Sequence, residues 1–557
     1  MPKPSELSKS ASQNDCNDCN DADAIRPTRL GSPKAGPTQD VGPSDEPPSE
    51  APVVDDRPDY SVFTTWEKRA IVLGVAIGAF FSPLTAQIYL PALNTLAADL
   101  DVSISRINLT VTTYMIFQGI TPMFIGSFAD STGRRPAYCI CFVVYIAANI
   151  GCALAPNYAA LLVLRMLQSA GSSTTVALCQ AVVADVVTSA ERGQYVGFTA
   201  LPILLAPAIG PVLGGVLSQF LGWRWIFWVL AIMAGFVFIL YAFFIPETCR
   251  NIVGDGSIRP HLMYRTLWQI CKDAWRKRRA ARSDASGGVA LQVTPSHAST
   301  KRSVHMKKFN VFKSLTILFE KEIFILLSYS SIVFAGFYCV ATSLPTQLHE
   351  HYGLDDVKVG LMFLPFAGGS TIAALVNGKL INWNYRRHCK IQGVPFERKK
   401  EQDLVGFPIE RARLEIGGPM LLFASAILLA WGWALQYRAH LAVLCVLLFL
   451  LGWGLIGFSN TTNVLLVDIN PKNAGAATAS NNLTRCLVGA AATAVIGPMI
   501  NGIGAGWSFT ILGALYVIGL PALYLIMRHG VRWRKEKEAR KSARKARKNG
   551  GIVEEKN

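Results

Sequence analysis

Twelve apolar runs, each long enough to cross a lipid bilayer, constrain this chain of 557 residues more than any other feature. A crossing takes about 20 mostly apolar residues, and only a helix satisfies its own backbone hydrogen bonds in hydrocarbon. The runs read as 70–91, 109–129, 136–155, 158–184, 194–220 and 223–245, then 323–343, 356–381, 417–436, 440–467, 475–500 and 507–528. A long polar gap separates the two sets of six. The fold class this predicts is an all-α integral membrane protein, twelve transmembrane helices in two pseudo-symmetric six-helix bundles. Links as short as "APNY" around Pro156 and "LGW" around Gly222 force antiparallel neighbours. The expected parts are a disordered cytosolic tail (1–69), a first bundle (70–245), a cytosolic central loop (246–322), a second bundle (323–528, with a cytosolic loop at 382–416) and a basic tail (529–557).

Charge fixes the orientation. Charged residues make up only 16% of the chain, yet the net charge is +17, so the basic residues must be concentrated somewhere. Lys and Arg number 15 between Pro246 and Glu322, 8 between Asn382 and Ile416, and 12 from Arg528 onward. The alternate loops hold about four, at Arg106, Arg224, Lys358 and Arg438. Positive charge stays inside, so both termini are expected in the cytosol, at the plasma membrane or on a vacuolar or other endomembrane. Nucleic-acid binding, the other meaning of a basic chain, does not fit the dominance of apolar runs. The basic stretch "RWRKEKEARKSARKARK" after the last run is helix-prone and suits an anionic inner leaflet, with a trafficking signal as the rival reading.

Other chemistry is sparse. The opening residues are rich in Pro, Ser and Asp with no apolar run, which reads as a tail and not a signal peptide; the first span then serves as the targeting signal. Twelve cysteines show no disulfide framework, and Cys16 with Cys19 forms a CxxC lacking a second pair, so no metal is expected. No phosphate-binding G-x-x-x-x-G-K-[ST] occurs, which argues against ATP as the energy source. An intramembrane enzyme would need clustered histidines or paired acids, and neither occurs within a span.

The chain repeats itself. "GSFADSTGRRP" follows the second run and "GKLINWNYRRH" the eighth, aligning Gly126 with Gly378, Asp130 with Asn382, Arg134 with Arg386, and Arg135 with Arg387. Asp185 and Asp468 match at the inner ends of the fourth and tenth runs. Duplicated six-span halves are a transporter pattern. The first of these loops, with Gly126, Asp130, Gly133, Arg134 and Arg135, resembles the signature loop of the major facilitator superfamily. "RMLQSAGSS" around Arg165 and Gln168 resembles that family's fourth-span motif. "LPILLAPAIGPVLGGVL" resembles its fifth-span antiporter motif in Pro207, Gly210, Pro211, Gly214 and Gly215, with Ala206 where glycine is frequent. "FSPLTAQIYLPAL", "LGWRWIFW" and "IPETCRNIVGDGSI" are similar to fungal twelve-span drug:proton antiporters of the quinidine-resistance-like branch. The resemblance covers about 70–528.

That resemblance implies an exporter driven by protons, without a cofactor, rocking its halves about a central cavity. It also implies a latch in which Asp130 faces the start of span eleven and Arg134 or Arg135 pairs with Asp185, holding the outward-open state. The proline-rich fifth span would line the gate; ordinary kinked packing is the bland alternative. Ionisable residues within spans are costly and usually functional. Arg165 lies ~10 Å from the outer end of its span and Arg485 ~15 Å from the inner end of span eleven. Asn481 and Asn482, four and three residues before Arg485, share its helical face, so the three are expected to form one oxygen-binding cluster. Gln87, Tyr114, Gln118, Asn149, Tyr338, Asn460 and Asn463 are further cavity candidates; each could equally be interhelical glue. No acid falls mid-span, which favours a neutral or anionic cargo over a polycation. The leading expectation is export of drug-like xenobiotics or a fungal secondary metabolite by a functional monomer. Export of a small carboxylate, or a non-transporting sensor on the same fold, are the alternatives.

Overall fold

The computed structural model describes residues 61–187, 192–254, 264–284, 318–393, 406–470 and 474–554, with Ile258 and His261. The CxxC at Cys16 and Cys19 lies outside the described residues. No strand occurs among them.

The first half runs α1 (Thr65–Ile88), α2 (Leu93–Asp99), α3 (Ile104–Thr132), α4 (Arg134–Ala153), α5 (Tyr158–Val186), α6 (Arg192–Leu221) and α7 (Arg224–Phe244). Two helices follow in the central segment, α8 (Arg250–Val253) and α9 (Leu267–Asp284). The second half has α10 (Lys321–Tyr352), α11 (Asp356–Leu361), α12 (Phe363–Ile391), α13 (Ile409–Gln436), α14 (Leu441–Ile469), α15 (Ala474–Ile518) and α16 (Leu520–Glu554). Gly504, at φ 82°, breaks α15 into spans eleven and twelve. Counting α1 with α2, and α11 with α12, as single spans gives six in each half.

Local chemistry sets several boundaries. Helix α1 begins before the expected start of the span because Thr64 and Glu67 form a capping box, with Thr64 N donating to Glu67 Oε2 at 2.9 Å. Helix α16 runs on from span twelve past residue 529, so the basic tail is helical through Glu554. It is tied to the second half: Arg534 Nη2 donates to Glu410 Oε2 at 2.8 Å, and Lys537 pairs with Glu320. Glu322 lies beside Glu410 in this cluster, and both carboxyls are buried.

Packing repeats between the halves. Span one lies on span five as span seven lies on span eleven, and span two on span four as span eight on span ten. Spans three and six mirror nine and twelve. The halves meet where span two packs on span eleven and span five on span eight. Helices α3 and α5 fall short of a membrane helix by composition alone; they carry the small and polar side chains of these seams.

The fifth span remains helical through Pro202, Pro207 and Pro211. Its glycines serve contact. A Cβ on Gly210 would meet Gln87 Cβ at 3.1 Å, and one on Gly214 would run into the Ile88 carbonyl. Gly215 does the same against the carbonyl of Asp356 in the other half, and Gly360 returns the contact to that of Pro211. A side chain at Gly126 would meet no described atom. Gly214→Val is therefore expected to lower stability by about 1–3 kcal/mol through overpacking, while Gly126→Ala changes it little. Thermal unfolding of the purified proteins checks this; equal melting of both variants contradicts it.

Candidate functional site

The face that carries the starts of α1 and α10 and the ends of α7 and α16 is called here the terminal face. There Gly133, at φ 108°, turns α3 into α4. The position a Cβ would take is filled by Glu247 at 2.5 Å and Tyr264 at 3.0 Å. Buried Glu247 accepts from Arg134 N at 2.9 Å and Arg135 N at 3.1 Å, capping α4 and meeting its dipole with negative charge. Sequence reasoning named "IPETC" and missed this role; the signal was an acid placed just after an apolar span.

Arg134 is the residue that meets Asp185, Nε to Oδ2 at 2.9 Å, and it also meets Asp130 at 2.6 Å. Arg135 turns elsewhere: its Nη2 donates to Ala242 O at 2.7 Å and its Nε to Ile245 O at 3.2 Å. Asp130 has a largely exposed side chain; residues 471–473, ahead of span eleven, lie outside the described residues. In the second half Asp468 pairs with Arg413 at 3.0 Å. The counterpart of Arg134 is thus Arg413 at the start of span nine, not Arg386, because span nine packs on span ten as span three packs on span four. Both pairs lie within one half. They are made in the same state in which the opposite face is closed.

That closure is built from hydrogen bonds between halves. Thr95 Oγ1 and Ser218 Oγ both donate to Asp356 Oδ2, at 2.6 and 2.5 Å. Val357 N donates to Gln219 Oε1 at 3.1 Å, and Asn94 Nδ2 to Pro345 O at 3.1 Å. Deeper in, Thr112 meets Thr493 at 3.0 Å, and Asn482 Nδ2 donates to Gln118 O at 3.1 Å. Asp356 is the hub, joining spans one, five and eight. Its place at the start of a span was the one sign of it in the sequence.

Between the faces lie two arginines. Arg165 is 1% exposed, its guanidinium held between the rings of Tyr89 and Tyr114 at 4.1 and 4.4 Å. Its Nη1 donates to Gln168 Oε1 at 2.6 Å, and Gln168 Nε2 donates to Asn149 Oδ1 at 2.7 Å. Tyr114 OH reaches Ser172 at 3.2 Å. Arg485 is half-buried over the Phe334 ring at 4.1 Å, and its Nη2 donates to Asn482 Oδ1 at 3.0 Å. The expected three-residue cluster divides: Asn481 donates instead to Asn463 Oδ1 at 2.8 Å, toward span ten. The Nε atoms of Arg165 and Arg485, Asn481 Oδ1 and Gln118 Oε1 are buried without a hydrogen-bond partner among the described residues. No ion pair to either arginine occurs among the described residues. Gln87 is buried, and Asn460 is half-buried in span ten. Tyr338 lies within electrostatic reach of Arg485 and Tyr114, so spans two, four, seven and eleven converge here.

Residues 75–394 match the family profile of the Major Facilitator Superfamily. The chain belongs to this superfamily. It is a multi-pass membrane transporter protein by family. It is 44% identical over 497 residues to MFS-type transporter phiD of Fungal sp. (strain ATCC 74256), covering 89% of this chain and 73% of that one. It is 34% identical over 495 residues to Citrate exporter 1 of Aspergillus niger, covering 88% and 91%. A structure of the xylose transporter XylE from E. coli in a partially occluded inward open conformation shares the fold, with TM-score 0.54, 15% identity and coverage of 83% and 98%.

If the Arg134–Asp185 pair stabilises this transporter, either single reversal, Arg134→Asp or Asp185→Arg, sets like charges against each other in this half-buried site and costs several kcal/mol. The double reversal recovers part of that loss. Folded yield in the membrane reads it; no recovery contradicts the pairing.

Proposed function

We propose that this chain exports small organic molecules, of the drug-like or fungal secondary-metabolite kind, in exchange for protons. No other cofactor is invoked, and the protein works as a monomer without acting as an enzyme. Its terminal face lies in the cytosol of a plasma-membrane protein, on the strength of the Lys and Arg concentrated in segments on that side. Transport follows from rocking of the halves about the spans that converge at Arg165 and Arg485. The latch residues Asp130, Arg134 and Asp185 shape the terminal-face gate, and the glycines of span five shape the seam.

The observation that carries the reading is the pair of arginines, held between aromatic rings and amides with no acid partner among the described residues. A buried guanidinium without a counter-charge is costly. A cargo oxygen, anionic or phenolic, supplies what the site lacks, and the fork of donors suits it. This same observation favours the second reading, export of a small carboxylate, to which the similarity to a citrate exporter adds weight.

Purified protein in vesicles tests both readings. With an imposed proton gradient, wild type should accumulate labelled aromatic acids or carboxylates, and collapse of the gradient should abolish this. Arg485→Lys keeps the charge and loses the fork, so partial transport is expected; Arg485→Ala should lose roughly ten-fold or more, equivalent to about 1.4 kcal/mol. Unchanged transport per folded molecule in Arg485→Ala removes the arginine from the cargo site. Transport indifferent to the gradient removes proton exchange.

A further inference from the structure

As α16 leaves span twelve it meets the starts of α10 and α13 in a buried charge cluster that the transport reading does not use. At Gly530 its backbone lies on Glu410: a Cβ there would meet Glu410 Cγ at 2.6 Å and Cδ at 2.7 Å. Four residues on, Arg534 closes on the same carboxylate, Nε to Oε1 and Nη2 to Oε2, both at 2.8 Å. The same Nη2 donates to Phe407 O at 2.7 Å. Lys537 pairs with Glu320 and donates to Asn470 Oδ1, at the end of α14, at 3.1 Å.

Glu322 is left over. It is 6% exposed, it lies beside the fully buried Glu410, and its Oε1 has no hydrogen-bond partner among the described residues. The cations that reach it are Arg534 and Lys537, and each already holds another carboxylate. The other packed elements bring no further charge to it. Helix α15 has Arg485 at mid-depth as its one charged residue, and Asp468 of α14 is held by Arg413. His529 of α16 stacks on Trp533, with ring centres 5.9 Å apart. Three acids, Glu320, Glu322 and Glu410, therefore face two bases. A buried carboxylate without its own counter-charge is expensive, and two carboxyls in one site resist ionising together. One proton balances the count. It has a route to water as well, because Glu322 lines a cavity of about 480 Å³ together with Lys321, Glu536 and Arg540, all three exposed.

We propose that Glu322 and Glu410 hold one proton between them and that this proton clamps α16 to the second half. With the proton bound, the Glu322 hydroxyl donates to Glu410, and Glu410 keeps a single negative charge for Arg534. When the proton passes to water in the cavity, two carboxylates compete for one guanidinium and α16 loosens. The docked state binds one more proton than the released state, so docking weakens as pH rises, by up to about tenfold per pH unit above the titration of the pair. The pH on the terminal-face side thereby sets how firmly the starts of spans seven and nine are held to the end of span twelve.

Hydrogen exchange of the full chain in nanodiscs reads this at amides 530–538, with rates corrected for their intrinsic pH dependence. The measurement needs no cargo, so its outcome stands apart from the export reading. Between about pH 6 and about pH 9, protection of this stretch in the wild type should fall roughly tenfold or more, while that of span nine holds. Glu322→Gln keeps a donor toward Glu410 and cannot ionise. Glu410→Gln relieves the same repulsion and leaves Glu322 as the acid for Arg534. Each substitution should remove the fall, so either variant alone suffices if the other folds poorly. Wild-type protection that is flat across the range overturns the proposal. A fall of the same size in the variants overturns it too, by placing the titrating group elsewhere.

Discussion

Inside a bilayer, apolar side chains gain nothing by leaving lipid for one another, so helices are held by close packing and by hydrogen bonds. That constraint explains why span five matters. Its glycines bring a backbone within touching distance of the Ile88 carbonyl in span one and of the Asp356 carbonyl in the other half, and Gly360 reciprocates against Pro211. Any Cβ at these positions would separate the surfaces. The helix persists through the prolines beside them. On this seam the polar side chains of Thr95, Ser218 and Asp356 then close the opposite face.

The charges divide by depth. At the terminal face every arginine described in detail has an acid or a helix-end carbonyl: Arg134 with Asp185, Arg413 with Asp468, Arg534 with Glu410, Arg135 with the end of α7. Glu247 completes the arrangement by capping α4. These links lie within halves and keep each half rigid. At mid-depth the pattern reverses, and Arg165 and Arg485 have aromatic faces and amides with no acid among the described residues. On the proposed export reading, that unanswered charge is where a cargo would be met.

The span count and the duplication were legible because hydrocarbon imposes a length and a composition that a sequence cannot hide. Asp185 and its match Asp468 could be read as equivalent ends of spans four and ten. What Asp468 would meet could not be read, since Arg413 lies far beyond the aligned "NYRRH" and is placed only by the packing of span nine on span ten. The same holds for the split of Asn481 from Asn482: adjacent residues diverge by about 100° on a helix, and the third helix decides which one Arg485 takes. Asp356 was invisible for a related reason. Its role comes from two hydroxyls over a hundred residues away, and local pattern carries no trace of them. Helix α9 lies in a stretch that the sequence shows only as a basic central loop.

Rocking of the halves, as proposed, requires the seam around Asp356 to open and close during transport. Thr95→Cys with Asp356→Cys, joined across the seam by oxidation or a short crosslinker, tests this directly in vesicles that report cargo movement. The joined protein should stop transporting and recover when the bridge is reduced. Each single cysteine variant should transport in oxidant. Full transport by the crosslinked protein would contradict it.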